Sequence, residues 1–432
     1  MKKRAIWVLG MALFSLFFGA GNLVLPPMLG FRSGELWWLV CLGFCLSAVL
    51  IPMLGILAHA RLQGGMFDFT LKTHPLFGLA YCYLVYAISV ALPAPRTASV
   101  THEMAVAPFI EIPPLLTSLI YFALVYLFVH NRSRLSKWIG QWLTPIILLV
   151  LLALIISLLL PLGDLSTTNL MPHPFTEGIL EGYQTFDAIG AVVVGGVILI
   201  SLKLEAPDLE RRQRFWILIK AGAFAGLALA LLYGGLMVSG ASVTGEFGTD
   251  ISRTGLLSGM SSIALGTYGG IFLSLLISLA CFTTAVGIVT GTADFVSSRY
   301  GNSRKVYRVT AVVGCILGVI MGQLPVDVII QVALPALMLI YPLTIVLILL
   351  NALPKGWSPP LVFRIVVATV LIFSVPDFLQ SIGLFEDSGG SGIGDIVKRL
   401  PLQEFRMGWV LPALAVYALS MLWVVARNRK FA

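Results

Sequence analysis

Charge is what this chain has least of. Only 11% of its 432 residues are Asp, Glu, Lys or Arg, against about 25% in an average soluble protein. With 28 basic and 20 acidic side chains it cannot build a polar shell around a 46.7 kDa globule. That excludes a soluble enzyme, a nucleic-acid binder and a disordered chain. Cysteine is scarce too: Cys41, Cys45, Cys82, Cys281 and Cys315 all lie in apolar runs and none forms a Cys-x-x-Cys pair. A disulfide frame and a zinc site are therefore excluded, and the five read as small buried hydrophobes. There is no His-Glu-x-x-His run and no other catalytic cluster, so no catalytic residue is assigned. His59, His74, His130 and His173 lie near loops and read as solvated helix ends rather than metal ligands. Gly/Ser-rich linkers are missing, so the chain is one membrane domain. Period-two alternation is missing as well, which argues against a transmembrane barrel.

What the chain has is apolar sequence: 58% of residues, with a mean hydropathy of +0.95. Runs of about 20 apolar residues recur, each long enough to cross roughly 30 Å of hydrocarbon. Twelve spans are expected, over residues 5–27, 36–58, 76–106, 114–130, 138–161, 180–201, 215–239, 268–298, 306–322, 327–350, 361–381 and 408–426. The third and eighth exceed a membrane's need and are expected to tilt. Segments 240–267 and 382–407 read as the longest polar loops. With both termini inside, 22 of the 28 basic residues fall on the cytoplasmic side, five fall outside, and Arg96 lies within a span. The positive-inside rule gives this split for an even number of spans. A signal peptide is the alternative for span 1, but no long exported domain follows it.

Some spans are unusual at mid-depth. Span 1 carries Phe18-Gly19-Ala20-Gly21-Asn22, then Pro26-Pro27. Glycines there let the backbone leave helical geometry, and freed peptide groups are tolerated in lipid when they line a cavity. Span 6 carries Thr185-Phe186-Asp187-Ala188-Ile189-Gly190. A carboxylate at mid-helix costs roughly 2.5–3.5 kcal/mol on insertion scales, so Asp187 faces protein or water. Discontinuous helices at matching positions in two halves point to a transporter built from inverted repeats. Residues 1–161 are then the first repeat, 180–350 the second, and 361–426 two additional helices. Span 8 holds Thr283-Thr284 after Ala280, two hydroxyls bordering one small site, or bonded to their own preceding carbonyl. Span 3 holds Pro93-Ala94-Pro95-Arg96, with Glu103 seven residues on. Arg96 and Glu103 either pair as parts of a gate, or the prolines end the helix and leave Arg96 in a watery vestibule. Asp294 in span 8 is placed to pair with a nearby arginine.

The run Phe17-Phe18-Gly19-Ala20-Gly21-Asn22-Leu23-Val24-Leu25-Pro26-Pro27 resembles the opening span of the branched-chain amino acid:cation symporters, the BrnQ-type carriers. Ala94-Pro95-Arg96-Thr97-Ala98 and Thr283-Thr284-Ala285-Val286-Gly287 resemble that family's third- and eighth-span signatures. The likeness covers almost the whole chain. It implies an all-α fold of the leucine-transporter type, with helices 1 and 6 discontinuous, and import of Leu, Ile and Val with Na⁺ as co-transported ion. No cofactor, enzymatic activity or nucleic acid is implied. The location implied is a bacterial inner membrane. Gly19, Ala20, Gly21, Asn22, Phe186, Asp187, Ala188 and Gly190 would hold the substrate, its carboxylate on the N–H groups near Ala20 and Gly21. Ser15, Phe18, Ala280, Thr283 and Thr284 would hold one cation; Asn22 and Thr185 would hold another. Asp187 departs from the small polar residue usual in sodium-coupled neurotransmitter carriers, which keeps proton coupling, or another neutral amino acid, open.

Overall fold

The computed structural model describes residues 2–130, 135–160, 165, 169–205, 208–383 and 401–429. No strand occurs among the described residues. Span 1 is α1 (Lys2–Phe17) and α2 (Ala20–Ser33). Span 2 is α3 (Trp37–Cys45) and α4 (Ile51–Leu62), joined through a wide turn at Leu46–Leu50. Span 3 is α5 (Pro75–Ala91) and α6 (Pro93–Thr101), ending in a second wide turn at His102–Val106. Spans 4 and 5 are α7 (Pro114–His130) and α8 (Leu135–Leu159). Span 6 is α9 (Pro174–Tyr183) and α10 (Asp187–Glu205). Spans 7 to 12 are α11 (Arg211–Ser242), α12 (Arg253–Arg299), α13 (Arg304–Gly322), α14 (Val326–Ala352), α15 (Pro360–Ser381) and α16 (Val410–Arg429).

The extra length of spans 3 and 8 is taken up by breaks. Span 3 breaks at Leu92 (φ −123°, ψ −67°), because Pro93 and Pro95 cannot donate to the preceding turn. Span 8 turns at Gly266, whose φ of +69° favours glycine. Residues 253–265, expected as loop, form a helix lying before that turn. Of the other expected loop, 384–400 lies outside the described residues.

Packing couples the halves of the chain. α1 and α2 pack on α11, α3 on α9, α4 on α10, α6 on α12 and α7 on α13. Span 1 thus meets span 7 as span 6 meets span 2, while 3 meets 8 and 4 meets 9. Exchanging spans 1–5 with 6–10 leaves this pattern unchanged. Two of the seams bring backbone against backbone. A Cβ at Gly30 would lie 1.8 Å from the Met237 carbonyl oxygen, and one at Gly240 2.0 Å from that of Pro27. A Cβ at Gly43 would lie 2.0 Å from the Phe175 oxygen, and one at Gly178 2.3 Å from that of Val40. Small residues are what allow such approach where lipid supplies no hydrophobic drive between helices.

The face where α1 begins is the near face. Trp7, Trp216, Trp357 and Trp423, each more than half exposed, lie towards it, as an interfacial belt requires. Basic side chains knit its loops: Lys203 donates to the Gln63 carbonyl (2.8 Å), Arg211 to that of Arg61 (2.7 Å), and Arg364 to that of Thr73 (3.0 Å). Not every histidine is solvated. His59 is fully buried between the carbonyls of Gly64 (2.9 Å) and Val192 (3.0 Å). Cys41 and Cys45 are only half-buried, one helical turn apart, whereas the other three cysteines are buried.

Candidate functional site

The break in span 1 is built by Gly19. Its backbone is extended (φ −105°, ψ −175°), and α2 restarts when the Asn22 N–H donates to the Gly19 carbonyl at 3.1 Å. The first N–H groups of a helix have no partner within it. For α2 these include Ala20 and Gly21, so the positive end of its dipole opens at mid-depth.

The break in span 6 lies at Gln184–Phe186. α9 closes with Gln184, and Phe186 takes the left-handed region at φ +62°. A non-glycine residue is held there only by its surroundings. Thr185 bridges the gap: its hydroxyl donates to the Gly182 carbonyl (2.8 Å) and accepts from the Asp187 N–H (3.2 Å). The Ala188 N–H donates to the Tyr341 hydroxyl at 3.2 Å.

Polar side chains fill the space between the breaks. The Asn22 amide nitrogen donates to Asp187 Oδ2 (2.6 Å) and to the Tyr233 hydroxyl. Asn22, Asp187 and Tyr233 are all buried. Arg96 reaches both breaks from α6. One of its terminal nitrogens donates to the Gln184 carbonyl at 2.7 Å, and the guanidinium lies 5.4 Å from the Phe186 ring centre. A Cβ at Gly21 would fall 2.4 Å from its other terminal nitrogen, so a larger residue there would displace the guanidinium.

On α12, Thr283 and Thr284 both donate to the Ala280 carbonyl, at 2.9 and 3.0 Å. Each hydroxyl spends its only hydrogen there and keeps its lone pairs. Three hard oxygens therefore sit together, a donor set suited to an alkali cation. Further along α12, a Cβ at Gly287 or Gly291 would meet nothing within 4 Å; the same holds at Gly190 on α10.

The face opposite the near face is bridged by charge. Arg253, at the start of α12, donates to Glu181 of α9 (3.1 Å) and to Asp327 of α14. Glu103 accepts from the Thr254 hydroxyl and from the Val326 N–H (2.8 Å).

The structure brings Gly21, Asn22, Arg96, Phe186, Asp187 and Ala188 to one place, with Gly19, Ala20 and Thr185 in the breaks themselves. Gly190 stands a turn beyond, its N–H on the Phe186 carbonyl (2.8 Å). Ser15 and Phe18 belong to α1 and its end, Ala280, Thr283 and Thr284 to α12; Phe18 and Ala280 contribute to one apolar core. Arg96 and Glu103 do not pair, since each has the partners given above. Nor is Arg96 in a watery vestibule: it is 4% exposed, because Pro93 opens a new buried helix rather than ending the span. Asp294 lines a near-face cavity with His130, Arg304 and Arg308. Sequence reasoning missed Gln184, Tyr233 and Tyr341. Gln184 directly precedes the Thr185–Gly190 run, and the two tyrosines lie in apolar runs with nothing to set them apart.

The profile for branched-chain amino acid transport proteins matches residues 2–427. The chain is 33% identical to the branched-chain amino acid transport system 2 carrier protein of Pseudomonas aeruginosa, over 98% of this chain and 96% of that one. It is 32% identical to the branched-chain amino acid permease BrnQ of Bacillus subtilis, covering 95% and 94%, and 29% identical to BrnQ of Escherichia coli K12, covering 100% and 98%. Among solved structures it superposes on the inward-facing conformation of Mhp1 with a TM-score of 0.56 at 14% identity, covering 97% of this chain and 90% of that one. A Na⁺-coupled sialic acid symporter gives 0.57 at 11%, covering 96% and 90%. A manganese transporter from Eremococcus coleocola gives 0.58 at 15%, covering 99% and 95%. These structures share the fold, the leucine-transporter type with spans 1 and 6 discontinuous. By its profile and its relatives, this multi-pass membrane chain belongs to the branched-chain amino acid transport protein family and is a carrier, not an enzyme.

Proposed function

We propose that this carrier imports Leu, Ile and Val by symport with Na⁺ through alternating access, in a bacterial inner membrane with both termini cytoplasmic. The observation that carries the reading is the buried polar cluster of Asn22, Arg96 and Asp187 between two broken spans. A zwitterion has no net charge, so voltage alone cannot concentrate it. One co-transported cation gains about 2.3 kcal/mol per 100 mV, roughly 50-fold accumulation. Substrate would sit among Gly19, Ala20, Gly21, Asn22, Phe186, Asp187, Ala188 and Gly190. A cation would take Ala280, Thr283 and Thr284 with carbonyls of Ser15 and Phe18, and a second would take Asn22 and Thr185. The packing symmetry supports repeats over 1–161 and 180–350, followed by two further helices over 361–426. Asp187, an acid at the centre of the cluster, favours H⁺ as the second reading for the coupled ion. Leucine uptake in proteoliposomes, with Na⁺ and pH gradients imposed separately, tests both; uptake indifferent to Na⁺ removes the sodium assignment.

Thr284→Ala deletes one of the three oxygens on α12. The expected result is a tenfold or larger rise in the Na⁺ concentration for half-maximal uptake, since a hydrogen bond or ligand to a charged group contributes about 1.5–3 kcal/mol. An unchanged Na⁺ dependence would sink that site.

Arg253→Gln removes the cation shared by Glu181 and Asp327. On this orientation the cluster closes the outer face. Losing these partly exposed ion pairs shifts the balance by about 1 kcal/mol, roughly fivefold in population. In vesicles of a variant lacking Cys41 and Cys45, an impermeant thiol reagent added outside is expected to modify the buried Cys281 faster by that factor. An equal rate would show that these charges do not hold the outer face shut.

A further inference from the structure

Gly21, Gln184 and Phe186 surround a guanidinium that no carboxylate approaches within 4.0 Å among the described residues. Arg96 is 4% exposed, and its Nε–H is buried with no partner. Beside it, the Gln184 side-chain oxygen is buried with no partner either, and Gln184 is 3% exposed. Buried polar groups are ordinarily satisfied, and the cost of leaving one unmade is greater for a charged group. Here the two orphans are of opposite kind, a cationic donor and a neutral acceptor. They belong to one cluster, because the Gln184 main-chain carbonyl is already bonded to the same guanidinium.

The electrostatics point the same way. The guanidinium lies against Gly21, in the first turn of α2, where the helix dipole is also positive. Two positive features converging in the middle of a membrane call for an anion. Arginine's planar fork matches a carboxylate with two parallel N–H donors. Asp187 stands across the cluster, held by Asn22, and supplies the opposite sign.

We infer that Arg96 and Gln184 read the two ends of the substrate's α-amino acid group: the guanidinium takes the carboxylate, and the Gln184 side-chain oxygen, backed by Asp187, takes the ammonium. This rests on the proposed reading that substrate lies between the two breaks, and it adds which side chains recognise the zwitterion. Arg96 is then a specificity-determining residue rather than part of a gate. The Phe186 ring, on a left-handed backbone, lies 5.4 Å from the guanidinium carbon, within cation–π reach.

The test is binding of radiolabelled leucine to the purified full-length carrier, with three competitors. Leucinamide and 3-methylbutylamine lack the carboxylate; 4-methylpentanoate lacks the ammonium. Wild type is expected to prefer leucine over each by roughly 100-fold or more, as a site built to hydrogen-bond a group rejects the analogue without it. Arg96→Gln is expected to lose leucine affinity while keeping its affinity for leucinamide, so that the preference collapses. Gln184→Met is expected to lose leucine while keeping 4-methylpentanoate. A folded Arg96→Gln carrier that still prefers leucine over leucinamide overturns the inference. Should Arg96→Gln not fold, the wild-type competition decides: equal competition by leucine and leucinamide overturns it, and a strong preference for leucine lost in Gln184→Met supports it. A wild type that binds leucine without discriminating removes this inference alone. A wild type that binds no leucine removes the proposed function with it.

Discussion

Asp187→Asn is expected to abolish leucine uptake and leave the carrier folded. The two effects separate because they have different causes. Asparagine has the shape of aspartate, and its amide oxygen can still accept from Asn22, whose nitrogen now bonds Asp187 Oδ2 at 2.6 Å. The hydrogen bonds of Tyr233 and Thr185 survive on the same geometry. Removing a charge from mid-membrane also removes an insertion penalty of about 2.5–3.5 kcal/mol. Thermal stability in detergent should therefore hold or rise. On the proposed reading, transport loses the negative charge that faces the substrate's ammonium. Removing one partner of a buried charge pair costs about 2–5 kcal/mol, a loss of roughly 30-fold or more in uptake. Normal transport at every pH would leave Asp187 a structural acid.

Gly30→Leu is expected to yield no monodisperse protein, and Gly30→Ala to lower the melting temperature sharply. The contact it disturbs cannot give way. A Cβ at Gly30 would lie 1.8 Å from the Met237 carbonyl oxygen, and the reciprocal approach at Gly240 is 2.0 Å from Pro27. These are main-chain atoms on two packed helices, so no rotamer change relieves the clash. Overpacking a well-filled core typically costs about 1–3 kcal/mol, and more where the neighbours are rigid. Gly245→Ala is the control, since a Cβ there meets nothing within 4 Å. Size-exclusion profiles of the fluorescently tagged variants decide the matter. A normal profile for Gly30→Leu would mean that α2 and α11 can separate without loss of the fold.

Much of this architecture was legible because membrane spans announce themselves by length. α7 and α15 begin and end within a residue of the expected limits. The break in span 1 was legible too, since two glycines and an asparagine have no ordinary use there. The break in span 6 was only half legible. Polar and small residues marked the run Thr185–Gly190, and the chain breaks at the start of that run, at Gln184–Phe186, rather than at Gly190. Phe186 is held at φ +62° by tertiary contacts, and nothing local marks such a residue. Tyr233 and Tyr341 sit in runs where a tyrosine cannot be told from any other large core residue. The ion cluster around Arg253 joins charges from three separate helices, and sequence spacing carries no information about such partners. Arg96 was visible as an oddity, but its setting against Gly21 depends on how the two broken spans cross span 3.

The glycine seams bear on how such a carrier can diverge. Outward-facing positions, among them Leu76, Leu160 and Leu231, are largely exposed and touch little of the protein, so many apolar side chains serve there. The four glycines at the two helix crossings leave no room for a side chain unless main chain moves. Drift has run to about two-thirds of the aligned positions between this chain and its Pseudomonas relative, at 33% identity over 429 residues; the two close crossings are where the geometry leaves it least room.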